Sequence, residues 1–300
     1  MDGPTELVDL GDDGLVKRLI STILLAAVGL VSTACDPVPT RPEAETWAFC
    51  GVHPADLLAQ NKANSMRISG GIDATFGPCL PVDWSTYTPA NPGGRYLDPQ
   101  GYLYLTVINA NAGMKTIVYD ARIWSTNATV RQQAIDFWYP HRAWIRAWDM
   151  GDEFDPASAD WTTLVTRWNR VLTYVTPATG IGPFTNHLPW ALDEALRDMP
   201  AQVNHLSYDL YDVPASLAIA RQYAPQVNHL MCAINAFDHG SFHPTAWGIE
   251  SAMLDHRDAG CDSFLIFGGE MPINTPGFVG TSLVNPNGTA TAWAEAVARS

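Results

Sequence analysis

From Trp47 to the C-terminus the chain alternates between two kinds of segment. Short apolar runs rich in β-branched and aromatic residues are each followed by a stretch whose apolar residues recur every three or four positions. The first pattern belongs to strands buried on both faces, the second to amphipathic helices. Strands joined through helices run parallel, because only a long crossover returns the chain to start the next strand in the same direction. The strand runs lie at 47–52, 66–72, 115–120, 145–148, 182–187, 203–211, 229–237 and 262–267. Helices are expected at 98–113, 129–139, 157–175, 190–199, 215–223 and 245–258. Residues 76–95, rich in proline and glycine, read as a surface loop. The segment VNHL occurs at 203–206 and again at 227–230, at the same place in two successive units, and marks a repeat pitch of 24 residues. Eight such units in about 255 residues predict a single α/β domain, a (β/α)8 TIM barrel. A doubly wound open sheet would share the alternation, but no glycine-rich phosphate turn follows the first run.

The segment in front of this domain has a different character. Lys17 and Arg18 precede an apolar run at 19–34, which ends in small residues before Cys35. A basic pair, an apolar stretch and small residues at a cleavage point describe an export signal, and the run is short for a membrane span. Ser32-Thr33-Ala34-Cys35 resembles the lipobox of bacterial lipoproteins, with Ser32 where leucine is usual. That resemblance implies a lipid on Cys35 and attachment to a membrane surface. The same small residues would also suit an ordinary signal peptidase. The acidic stretch 1–15 is foreign to a signal peptide and fits a start at Val16, which N-terminal sequencing of the precursor would test. Proline-rich residues 36–46 read as a tether, so the expected division is 1–35, 36–46 and 47–300.

Export agrees with the cysteines. Beyond Cys35 four remain, and sequence order pairs Cys50 with Cys79 and Cys232 with Cys261, each closing a loop of about 28 residues. Loops of that size gain roughly 3 kcal/mol or slightly more in the chain-entropy model. A net charge of −14 argues against a nucleic-acid partner, which would need a basic surface. Hydrophobic residues at 47% and charged residues at 16% describe a packed globular chain.

In a barrel the chemistry sits at the C-terminal ends of the strands. The most acidic of these ends is the segment IRAWDMGDEFDP at 145–156, where Asp149, Asp152, Glu153 and Asp155 surround Gly151. Other ends offer Asp120 and Arg122, Asn186 and His187, Asp209, Tyr211 and Asp212, Asn235, Asp238 and His239, and Glu270. Glycoside hydrolysis needs a carboxylic acid for the leaving oxygen and a second group that serves as nucleophile, base or orienter. Glu153 is the expected acid, because like charge and partial burial beside Asp152, Trp148 and Phe154 would hold its proton. The bland alternative makes this segment a helix-entry turn, with acids near the positive end of the following helix. Asp152, Asp209 and Glu270 are the other catalytic candidates. Strand alternation puts Ser207, Asp209 and Tyr211 on one face. Asp120, Trp148, Asn186, Tyr211 and Asn235 are the expected substrate contacts, and Trp124, Trp190 and Trp247 are further possible sugar platforms.

The segment resembles the fourth strand of retaining glycoside hydrolase barrels, where an Asn-Glu pair supplies the acid/base; here Asp152 stands for the asparagine. Those barrels carry a nucleophilic glutamate at the end of strand seven, where this chain has Asn235. The Asp152-Glu153 pair is also similar to that of hexosaminidase-type barrels. That resemblance implies that Asp152 orients the substrate's own acetamido group and Glu153 is the acid/base, with no enzyme nucleophile. The expected function is a carbohydrate-cleaving, exported barrel that needs no cofactor and no metal. Two other classes share the fold. One is a barrel that only binds carbohydrate or cell wall, which Asn235 favours. The other is a metal-dependent hydrolase using His53, His187 and His239 or His243, although neither a His-x-His at the first strand nor a lysine at the fourth is present.

Overall fold

The computed structural model describes residues 45–49, 73–76, 99–111, 113–236, 244–267 and 292. The strands are β1 (Thr46–Phe49), β2 (Ala74–Thr75), β3 (Lys115–Val118), β4 (Ile145–Asp152), β5 (Pro183–Asn186), β6 (Leu206–Tyr208), β7 (Leu230–Asn235) and β8 (Ser263–Phe267). The helices are α1 (Pro99–Asn111), α2 (Ala128–Trp138), α3 (Ala159–Arg170), α4 (Thr176–Thr179), α5 (Leu192–Asp198), α6 (Val213–Tyr223) and α7 (Ala246–Asp258). The strands form one parallel sheet in the order β5-β4-β3-β2-β1-β8-β7-β6. A parallel bridge between His187 and Tyr208 joins the two ends and turns the sheet into a ring. The molecule is therefore a (β/α)8 barrel. No helix among the described residues is long and apolar enough to cross a membrane.

Side-chain alternation divides the core in two. Trp47, Ala74, Phe76, Ile117, Ala147, Phe184, Met231 and Leu265 form the cluster inside the ring. Val118, Trp148, Tyr208, Cys232, Ile234 and Ile266 point the other way and pack under the helices with Trp138, Leu164 and Ile249. Parallel strands are covered on both faces, which is why their sequence is nearly continuous in apolar residues.

The VNHL echo lies across one strand pair. Leu206 and Leu230 are register partners. Asn228 donates to Asn204 at 2.9 Å, and the rings of His205 and His229 sit 6.2 Å apart. Both histidines thus lie at the N-terminal end of the ring, beside Trp47 and Asp262. Burial there lowers His205 to about 4.

The expected boundaries shift in five places. The ring begins before Trp47: Thr46 opens β1, and Glu45 pairs with Arg146 at 2.6 Å. The second strand falls at Ala74–Thr75, while 66–72 lies outside the described residues. Phe76, expected to open a surface loop, fills the ring interior. β6 is shorter than 203–211, because Pro200–Val203 forms a 3-10 turn before it and Asp212 caps α6 after it. The helix expected at 157–175 stops at Arg170 and continues through a π turn at Val171–Val175 before Pro177. The expected Cys232–Cys261 disulfide is present, with Cα atoms 6.0 Å apart. Cys35, Cys50 and Cys79 lie outside the described residues.

Candidate active site

The acidic segment is strand as far as Asp152; beyond it Asp155 accepts from the Ala157 N–H at 2.9 Å and Ser158 stands at the N-cap of α3, so the helix-entry turn is present as well. β4 runs on to Asp152, and its register with β5 jumps between Asp149 and Asp152. That irregularity is a bulge, which bends a strand and re-aims its side chains. Gly151 makes it possible, with φ at 110°, a conformation open to glycine. Its N–H donates to Asp149 Oδ1 at 2.9 Å. Glu153 follows with φ at 54°, the one left-handed non-glycine residue among those described. An L-residue held there costs roughly 1–2 kcal/mol. The Glu153 N–H donates to the Asn186 carbonyl at 3.0 Å, which holds the conformation in place. Strain of this kind collects at functional sites.

The opposite wall comes from β6. Asp209 is 7% exposed, and its N–H donates to the His187 carbonyl at 2.9 Å. One carboxylate oxygen accepts from the Tyr211 hydroxyl at 2.8 Å. The Asp209 carboxyl also stands in hydrogen-bond contact with Glu153, with Asp152 beside them. Burial raises Asp209 well above the usual carboxylate range, and the charges of Asp152 and Glu153 add to the rise. Like charges gathered around a buried carboxyl favour its protonated form. Burial, then Asp209, raises the Tyr211 phenol well above its ordinary value.

Asn186 joins the two walls. It pairs in register with Asp152, and its Oδ1 accepts from the Ser207 hydroxyl at 2.8 Å. That bond fixes the amide orientation and leaves Nδ2 without a hydrogen-bond partner among the described residues. The residue is 2% exposed. Ser207 is the contributor that sequence reasoning passed over, although alternation had placed it on the face of Asp209.

Tyr211 and Asn235 both line a cavity of about 260 Å³ between the end of β7 and α7. Two expected substrate contacts face elsewhere. Trp148 is fully buried in the layer under the helices, edge-on to Trp138, because alternation along β4 sends it outward. Asp120 is taken up by Arg122, which reaches it at 2.7 Å, and by the Trp138 indole at 2.8 Å; it holds the turn after β3. His187 packs on Trp161 of α3, where burial lowers it to about 3. Trp124 is buried, whereas Trp190 after β5 and Trp247 at the start of α7 are 66% and 77% exposed. Glu270, His53, Asp238, His239 and His243 lie outside the described residues. Among the described residues no three His, Cys, Asp or Glu side chains are grouped as a metal site.

A parallel eight-stranded ring with acids gathered at the C-terminal ends of β4 and β6 makes the chain a (β/α)8 barrel. Its fold is similar to that of several glycoside hydrolases. A monomeric β-xylosidase from Caulobacter crescentus superposes with a TM-score of 0.52 at 12% identity, over 85% of this chain and 67% of that one. The catalytic domain of a β-amylase from Paenibacillus polymyxa gives 0.51 at 10%, over 86% and 97%. A family 39 glycoside hydrolase from Bacteroides cellulosilyticus gives 0.51 at 13%, over 84% of this chain, which spans 62% of that one. At these identities the likeness is one of fold. No family model matches the chain, and no curated protein matches it.

Proposed function

We propose that this barrel is an exported, lipid-anchored glycoside hydrolase that cleaves next to a 2-acetamido sugar. The observation that carries the reading is the hydrogen-bonded pair of Glu153 and Asp209 with Asp152 at its side. A buried acid whose proton is held by burial and by two neighbouring acids suits a device that stores one proton and delivers it on one side of the sugar. The nucleophile then has to come from the substrate, and an acetamido oxygen held by Asp152 can attack the anomeric carbon as the glycosidic oxygen takes the proton. Asp209 stores the proton in the free protein, and the half-buried Glu153 hands it on. Water then opens the cyclic intermediate with Glu153 as base. The glycoside hydrolases of like fold support a carbohydrate substrate, and the signal-like N-terminus supports export and a membrane surface as its setting.

Rates on aryl 2-acetamido-2-deoxyglycosides and on the matching 2-hydroxyglycosides test this. Cleavage of the first set only is expected, and Glu153→Gln should lower kcat about 10²–10⁴-fold without a change in circular dichroism. Equal rates on both sets would sink the acetamido mechanism. The absence of cleavage across the whole panel would leave the carbohydrate-binding barrel, which Asn235 at the end of β7 favours.

A further inference from the structure

Away from the acid pair, three arginines gather with no ion-pair partner among the described residues. Thr162, Thr166 and Arg170, with Thr163 and Arg167, lie on one face of α3, while Trp161, Leu164 and Trp168 bury the other. That face and Trp124 border an open groove of about 380 Å³. Arg170 donates to the Trp124 carbonyl at 2.6 Å, and the Arg167 guanidinium stands 5.7 Å over the Trp124 ring. Behind the same segment Arg131, only 9% exposed, donates to the Ser125 carbonyl at 2.6 Å and lies 4.4 Å over the Tyr174 ring. None of the three forms an ion pair among the described residues, although the chain carries 31 acidic residues against 17 basic ones.

A guanidinium as buried as that of Arg131 is ordinarily paired, and Arg167 and Arg170 are half-buried. Here carbonyls and aromatic faces hold the three forks in place and leave charge unspent. Planar forks match the geometry of carboxylate and phosphate oxygens, and the exposed Thr162 hydroxyl can donate beside them, whereas Thr163 and Thr166 donate to carbonyls of their own helix. The groove opens between the segment after β3 and the helix after β4. We propose that it binds an oxyanion carried by a glycan, either a uronate carboxylate or a phosphate ester. The glycan half of this statement rests on the function proposed above; the oxyanion half stands on the groove alone.

Calorimetric titration of the full chain with tetragalacturonate, with inorganic phosphate and with a neutral galactose tetramer tests it. An oxyanion probe should bind about tenfold or more tighter than the neutral tetramer, since a charge-assisted hydrogen bond is worth roughly that factor. The advantage should shrink as salt rises. Preference for the first probe identifies a uronate, preference for the second a phosphate ester. Arg167→Gln should remove about tenfold of the affinity without lowering the melting temperature, because Arg167 makes only a ring contact. Arg170→Gln serves as a second variant. Equal binding of charged and neutral probes, or unchanged affinity in Arg167→Gln, overturns the proposal. Loss of the hydrolase reading would look different, as oxyanion binding without turnover of any glycoside.

Discussion

Replacing Asp209 with asparagine should move activity and stability in opposite directions. The substitution keeps the volume of the side chain and both of its hydrogen bonds. An amide oxygen can accept from Tyr211 as the carboxylate does at 2.8 Å, and an amide N–H can donate to Glu153 where the protonated carboxyl does. Only the proton is lost. In the folded wild type, burial first and then the charges of Asp152 and Glu153 raise Asp209 well above 3.8. In the unfolded chain it titrates at about 3.9. Between these two values the folded state keeps a proton that the unfolded state has released. Wild-type stability therefore falls as pH rises through that window, and the loss is complete above the folded value. The asparagine variant has no such slope from this position. Near the unfolded value the two proteins should be nearly equal in stability. Above the folded value the variant should be more stable, on the order of 1 kcal/mol, the size commonly recovered when a catalytic conflict is removed. Its kcat should fall about 10²–10⁴-fold. Urea denaturation at a series of pH values, with initial rates on the preferred glycoside, measures both. Parallel stability curves for the two proteins, or a variant that is less stable at alkaline pH, would refute the account of the pair.

Two further expectations concern the frame. Removing the Cys232–Cys261 bridge by paired alanine substitutions frees a loop with a sequence separation of 29 residues and should cost about 3.6 kcal/mol in the chain-entropy model. Thermal scans should then show a drop of about 7–14 °C, at roughly 2–4 °C per kcal/mol for a domain of this size. Gly260→Ala should destabilise by about 1–3 kcal/mol, because φ there is +107° and an added Cβ would stand 2.5 Å from the Ala224 Cβ; chemical denaturation reads this directly, and a neutral result would mean that the 3-10 turn at Ala224–Gln226 can retreat from the turn before β8.

The parallel ring was legible because its evidence is local. A run such as 115–118 announces a strand buried on both faces, and a stripe such as Trp161, Leu164 and Trp168 announces the covered face of a helix. The VNHL echo gave the repeat pitch, and the structure pairs its two leucines, Leu206 and Leu230, in register. The weakest expectation was the second strand, which forms only a two-residue pairing at Ala74–Thr75. So short an element leaves no periodicity to read. Asp120 and Trp148 show the limit for the site. Both sit at the end of a strand, yet one is neutralised by Arg122 and the other turned under the helices by alternation.

The sequence by itself determined that a dense group of acids, at 145–156, would end the fourth strand of a barrel. Composition and spacing suffice for that, because strand burial and glycine turns are short-range matters. Which acid meets which was decided only by the closed ring. The β4 bulge turns Glu153 inward at a positive φ, and the His187–Tyr208 bridge brings β6 alongside β5. Those two constraints bring Glu153 and Asp209 into contact across the mouth. Neither is written in the local sequence of the other residue, and the shared proton exists only where the two meet out of water.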